Sequence, residues 1–221
     1  SLVAARLGSA PPATTGFRLI GAHTDSPGLR LKPNAHYSEK GYLMLGVEVY
    51  GGPLLASWTD RDLSIAGKLF VRQDGAMPRV VLVRGDRPLC RIPQLAIHLN
   101  REVNDKGLAL NKQRHLPPIY GLGDNEALRN ESLLSYFAEQ ASVDINDIVA
   151  TDLEVVDTQG ANLGGLNREL LFAPRIDNLA GSHAALTALL DVTGQDKSAP
   201  QATQVIALFD SEEIGSQSLG G

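Results

Sequence analysis

The chain has 221 residues, 43% of them hydrophobic and 20% charged, with a net charge of -5; this is the balance of an ordinary globular protein with room for one large domain or two small ones. The acidic balance and the lack of any basic block exclude a general attraction for nucleic acid or anionic membrane, and no apolar run is long enough to cross a bilayer. One cysteine, Cys90, excludes an internal disulfide and points to a reducing compartment such as the cytoplasm.

The chain opens at Ser1 in a polar segment rich in Ala, Pro and Thr, with no charged-then-apolar leader. It closes on SLGG with nothing to pack what precedes it, so both ends suggest a piece of a longer polypeptide. GFRLIGAH (16–23) reads as a short buried strand, bounded by Gly16 and the turn-forming DSPG. From about Leu31 to Leu99 the pattern is β-rich. YLMLGVEVY, IAGKLFV and RVVLVR are strand-like runs, punctuated by YGGP, RQDG and RGDRP. The Asn-, Gly- and Pro-dense passage from Asn100 to Glu126 reads as loop with a short helical piece.

Residues 130–143 are predicted to form a helix, because Leu133, Leu134, Phe137 and Ala138 recur at helical spacing. DLEVVD is strand-like and GANLGG a loop. Residues 177–194 carry the clearest helical pattern. Leu179, Leu186, Leu189, Leu190 and Thr193 share its broad face, an Asp/Asn pair caps its start, and Gly194 stops it. TQVIALF (203–209) is a buried strand. The expected architecture is an α/β domain, residues 1–32 and 166–221, interrupted by an inserted β-rich domain over 33–165.

Three spots place a metal-type ligand after a strand or at the start of a helix, the rim where open α/β sheets bind ligands. His23 and Asp25 follow the first strand in GAHTDSPG, Asp177 stands in PRIDNLAG, and Glu212 and Glu213 follow the strand ending at Phe209. Each has an ordinary explanation. A strand-end histidine packs, an aspartate caps a helix, and paired glutamates sit in solvent. Together they suit a site for two divalent ions. Such a site needs a carboxylate that bridges the ions, further imidazole or carboxylate ligands, and a free carboxylate beside a water. Consecutive glutamates fit the last two jobs, and a carboxylate two residues after a histidine can hold its other ring nitrogen.

GAHTDSP, YGG, RIDNLAG and DSEEIGS, in this order, with RIPQLAIHLNREVN and NKQRHLPPI between them, closely resemble the aspartyl aminopeptidases, a family of di-zinc exopeptidases. The resemblance covers nearly the whole chain, from about Gly16 to Gly221. It implies an α/β/α zinc-peptidase domain interrupted by a β-rich, dimerisation-type insert. It also implies that His23 binds one Zn2+, Asp177 bridges two, and Glu213 binds the second. Glu212 would be the general base, Asp25 the partner that orients His23, and His98 a residue reaching a neighbouring subunit's active site to stabilise the oxyanion. Further implications are a peptide substrate with N-terminal Asp or Glu, and a homo-oligomer built from dimers. The family takes one more Asp and one more His for its metals from a C-terminal portion beyond residue 221, so this span alone is expected to bind metal weakly and lack activity.

Other readings fit less of the sequence. SQSLG, with Ser218 as nucleophile, is one residue away from the G-x-S-x-G elbow of serine hydrolases, but DSEEIG separates it from its strand. A non-catalytic scaffold that kept the fold would not need the ligand types found here. A nucleotide-binding protein lacks its phosphate loop, since GLGDNE does not open from a strand.

Overall fold

The computed structural model describes residues 1–123, 126–195 and 198–215, without the side chains of 126–132 and 195. In chain order the elements begin with β1 (Leu2–Arg6), α1 (Pro12–Thr15), β2 (Phe17–His23), β3 (Gly28–Glu39) and β4 (Tyr42–Tyr50). There follow β5 (Leu63–Val71), β6 (Arg79–Arg84), α2 (Val103–Lys106), β7 (Ile119–Leu122) and α3 (Glu126–Ala141). The last are β8 (Ile148–Asp157), β9 (Asn162–Gly164), β10 (Leu170–Phe172), α4 (Ile176–Gln195) and β11 (Thr203–Phe209). The chain divides into two compact units, residues 1–27 with 161–221, and residues 28–160.

The smaller unit is built on a three-stranded sheet of order β1-β11-β2, in which β11 runs parallel to β2 and antiparallel to β1. The first strand was not legible in sequence. Leu2–Arg6 alternates only weakly, and it becomes a strand by pairing with residues about two hundred positions away. The α4 helix covers one sheet face, burying Ser182 and Ala185 and half-burying Leu186 and Leu189 against Ile206, Leu208, Ala4 and Ala22. This corrects the expected apolar face, because Leu179 and Leu190 are 44% and 61% exposed. The rotation is fixed by small residues that permit close approach, and by Ser182 Oγ, which donates to the His23 carbonyl at 2.8 Å. The GANLGG stretch is also not wholly loop. Its Asn162–Gly164 pairs with Leu170–Phe172 as a small antiparallel ribbon.

The larger unit is a six-stranded sheet of order β6-β5-β8-β3-β4-β7, antiparallel throughout. Inward-facing Leu29, Leu45, Val47, Leu63, Ile65, Leu69 and Val155 alternate with outward residues and form one core with Leu133 and Phe137 of α3. Pro33 and Asn34, whose φ is 55°, stand in the bulge that shifts register between Leu31 and His36, where β3 bends. Proline lacks the amide that a regular ladder would require there. The α3 helix begins four residues before the predicted start and ends at Ala141, where Ser142 turns left-handed (φ 53°). The α/β architecture with a β-rich middle segment agrees with the sequence expectation. Among the described residues, no helix is long and apolar enough to cross a membrane.

Candidate functional site

Parallel pairing of β2 with β11 sets His23 beside Phe209, so the two strands end together. The loops that leave them are tied at once. Thr24 donates through its amide (2.8 Å) and its Oγ1 (3.2 Å) to the Phe209 carbonyl. Past β11, Ser211 adopts a left-handed conformation (φ 68°) and starts a single 3-10 turn over Glu212–Ile214, which ends at Gly215 (φ 75°). Asp177 lies at the head of α4, where the regular helix is interrupted at Asp177 and Asn178 and the peptide bond between them is cis. Ser26 Oγ donates to the Asp177 carbonyl at 3.2 Å, which ties this segment to the loop after β2.

These connections bring His23, Asp25, Asp177, Glu212 and Glu213 together. His23 Nδ1 lies 3.0 Å from the Asp25 main-chain carbonyl. A carbonyl only accepts, so this bond assigns the proton to Nδ1 and leaves the Nε2 lone pair for a cation. Nε2 faces Asp177 Oδ1 at 3.3 Å and Glu212 Oε2 at 3.9 Å. One ligand atom each from His23, Glu212 and Glu213 lies within 4.8 Å of the others. The Asp25 carboxylate is nearly buried. It approaches Nδ1 at 3.4 Å but accepts from the amides of Glu212 (3.2 Å) and Glu213 (3.1 Å). It thereby caps the turn that carries both glutamates, a task the His-x-Asp spacing did not suggest.

The electrostatics favour positive charge at this spot. Burial opposes protonation of His23, but its bond to the Asp25 carbonyl and the charges of Glu212, Asp25 and Asp177 outweigh it and raise its pKa above 6.5. Burial, with repulsion from Asp25, Glu212 and Asp177, raises the Glu213 carboxyl above 4.5 despite the attraction of His23. A divalent cation relieves such a crowd of carboxylates. The donor set of imidazole nitrogen and carboxylate oxygen suits zinc.

His98 stands in the larger unit, exposed on the 3-10 turn Ile97–Leu99. Ser218 lies outside the described residues. Sequence reasoning missed Ser26 and Ser182, which hold the backbone of Asp177 and His23. Serines in such positions carry no local signal, since their partners are more than a hundred residues away.

The whole span, residues 1–221, matches the profile described as aminopeptidase I zinc metalloprotease (M18). A protein of Streptomyces coelicolor named probable M18 family aminopeptidase 2 is 45% identical over 206 residues, which cover 93% of this chain and 46% of the relative. A solved structure of the Ape4 and Nbr1 complex contains a chain superposing with a TM-score of 0.89 at 37% identity, over 99% of this chain and 45% of that one. A chain of the S. cerevisiae mApe1 dodecamer superposes with a TM-score of 0.79 at 30% identity, over 99% of this chain and 49% of that one. The chain spans about half the length of the curated relatives it matches.

Proposed function

The chain belongs to the aminopeptidase I zinc metalloprotease (M18) family, and from that premise we propose that the intact protein is a metal-dependent aminopeptidase that removes the N-terminal residue of peptides. The convergence of one ligand atom each from His23, Glu212 and Glu213, with Asp177 beside the imidazole Nε2, carries this reading. His23, Asp177 and Glu213 would hold zinc, with Asp177 shared between two ions. Zinc, when bound, supplies polarisation of the scissile carbonyl and a more acidic water.

The chain's own residues do the rest. Asp25 fixes the turn that presents both glutamates, and its carbonyl fixes the His23 tautomer. Glu212, whose side chain is 54% exposed, is the member of the pair open to incoming water. It takes the water's proton as the carbonyl is attacked and returns one to the leaving amine. His98, supplied by another subunit, donates to the developing oxyanion. Preference for N-terminal Asp or Glu, a cytoplasmic location and a homo-oligomer built from dimers complete the proposal. The dodecamer formed by the S. cerevisiae relative supports self-assembly.

Substitution of Glu212 in the intact protein tests the reading. Glu212→Gln is expected to lower kcat by about 10²-fold or more while zinc content stays at the parent value, and Asp177→Ala to lower both. Full turnover by Glu212→Gln would remove the base assignment. A panel of peptides differing only in the N-terminal residue tests the acidic preference, which fails if Asp and Glu are cleaved no faster than Ala or Leu.

A further inference from the structure

His23 and Asp177 stand on different elements, the end of β2 and the head of α4, yet His23 Nε2 and Asp177 Oδ1 are 3.3 Å apart. Two hydrogen bonds maintain that approach, and they cross. Ser26, in the loop that leaves β2, donates through Oγ to the Asp177 carbonyl at 3.2 Å. Ser182, on α4, donates through Oγ to the His23 carbonyl at 2.8 Å. Each side thus carries one ligand-type side chain and one serine, and each serine holds the main chain of the other side's ligand. The crossing has a mechanical consequence. One bond alone lets the head of α4 pivot about a single point and carry Asp177 away from His23. Two bonds, attached at residues 23 and 26 on one side and at 177 and 182 on the other, remove that pivot.

We infer that Ser26 and Ser182 are positioning residues for the metal, a clasp that sets the spacing of His23 and Asp177 before a cation arrives. The inference rests on the reading of both as zinc ligands. Tetrahedral zinc with nitrogen and oxygen ligands at about 2.0–2.2 Å places two of them about 3.3–3.5 Å apart. The observed 3.3 Å is already that separation. Packing within this chain does not place Asp177, because its side chain is 90% exposed. What places its main chain is the Ser26 bond. Ser182 is buried against the sheet, so water does not take over its bond to the His23 carbonyl when the hydroxyl is removed. A pair ordered in advance binds more tightly, because less freedom is lost on binding.

Zinc affinity of the intact protein, measured by competition with a chelator well below the unfolding midpoint, tests the clasp. Ser182→Ala is expected to lower it about 10–100-fold and Ser26→Ala about tenfold. Since either loss restores the pivot, the double variant should bind about as weakly as Ser182→Ala alone rather than by the product of the two effects. Ser26→Thr keeps the hydroxyl at a half-buried position and should keep the parent's affinity. Effects that multiply in the double variant, or a Ser26→Thr protein as weak as Ser26→Ala, overturn the clasp. Asp177→Ala separates this from the reading of the site. If Asp177→Ala loses zinc while both serine variants bind it like the parent, the zinc site stands and the clasp falls. If Asp177→Ala binds zinc like the parent, both fall.

Discussion

Asp25→Asn is the most demanding test of how the site is held. The two carboxylate oxygens of Asp25 accept from the amides of Glu212 and Glu213 at 3.2 and 3.1 Å, and the side chain is only 4% exposed. Water therefore cannot replace what the substitution removes. Asparagine keeps the volume and one acceptor oxygen, but it turns an NH2 group toward the second amide. One bond to a charged acceptor, about 1.5–3 kcal/mol, is lost, and a nearly buried donor is left opposed, at about 1–3 kcal/mol. Since the two effects overlap, the expected destabilisation is roughly 2–4 kcal/mol. For a chain of this size each kcal/mol moves Tm by about 2–4 °C, so a drop of roughly 5–15 °C should be visible by calorimetry. The same loss loosens the turn bearing both glutamates, and zinc affinity should fall about 10–100-fold. An Asp25→Asn protein with the parent's Tm and zinc affinity would refute the capping role and with it the account of how the glutamates are presented.

Three further outcomes probe the larger unit. Phe137→Ala empties the largest fully buried side chain of its core and should cost about 3–5 kcal/mol in denaturant unfolding. Gly67→Ala should destabilise as strongly as a core truncation, because its φ is 151° and a Cβ would lie 2.1 Å from the Asp152 carbonyl oxygen, which is backbone and cannot swing away. Parent-like unfolding would show that β5 and β8 can separate freely there. His36, half-buried beside Tyr120, has its pKa lowered below 6.5 by burial. The unfolded chain then binds the proton first, so its contribution to stability is complete above pH 6.5 and is lost as pH falls from there toward the lowered folded value. His36→Gln should flatten that part of the stability–pH curve; an unchanged slope would place the acid sensitivity elsewhere.

Much of the fold was legible because its signals are local. The TQVIALF and FRLIGAH runs announced β11 and β2 by apolar continuity, and Leu133, Phe137 and Ala138 announced α3 by their spacing. The weakly patterned Leu2–Arg6 gave no such signal, since β11 supplies its partner groups. The rotation of α4 departs from its hydrophobic pattern, which ranks Leu179 and Leu190 above Ser182 and Ala185. Close packing on the sheet favours the small residues instead.

At the candidate site, the sequence by itself determined the ligand types and put each at the end of a strand or the head of a helix, because such motifs are short and carry their own turns. It also carried the family resemblance, through motifs in a fixed order. Only the tertiary structure decided what each group faces. Asp25 meets the amides of Glu212 and Glu213 from 187 and 188 positions away. Ser182 reaches His23 from 159 positions away. The imidazole's free nitrogen is chosen by a carbonyl that could have pointed elsewhere. Those choices depend on distances between remote parts of the chain, and the parallel pairing of β2 with β11 sets them.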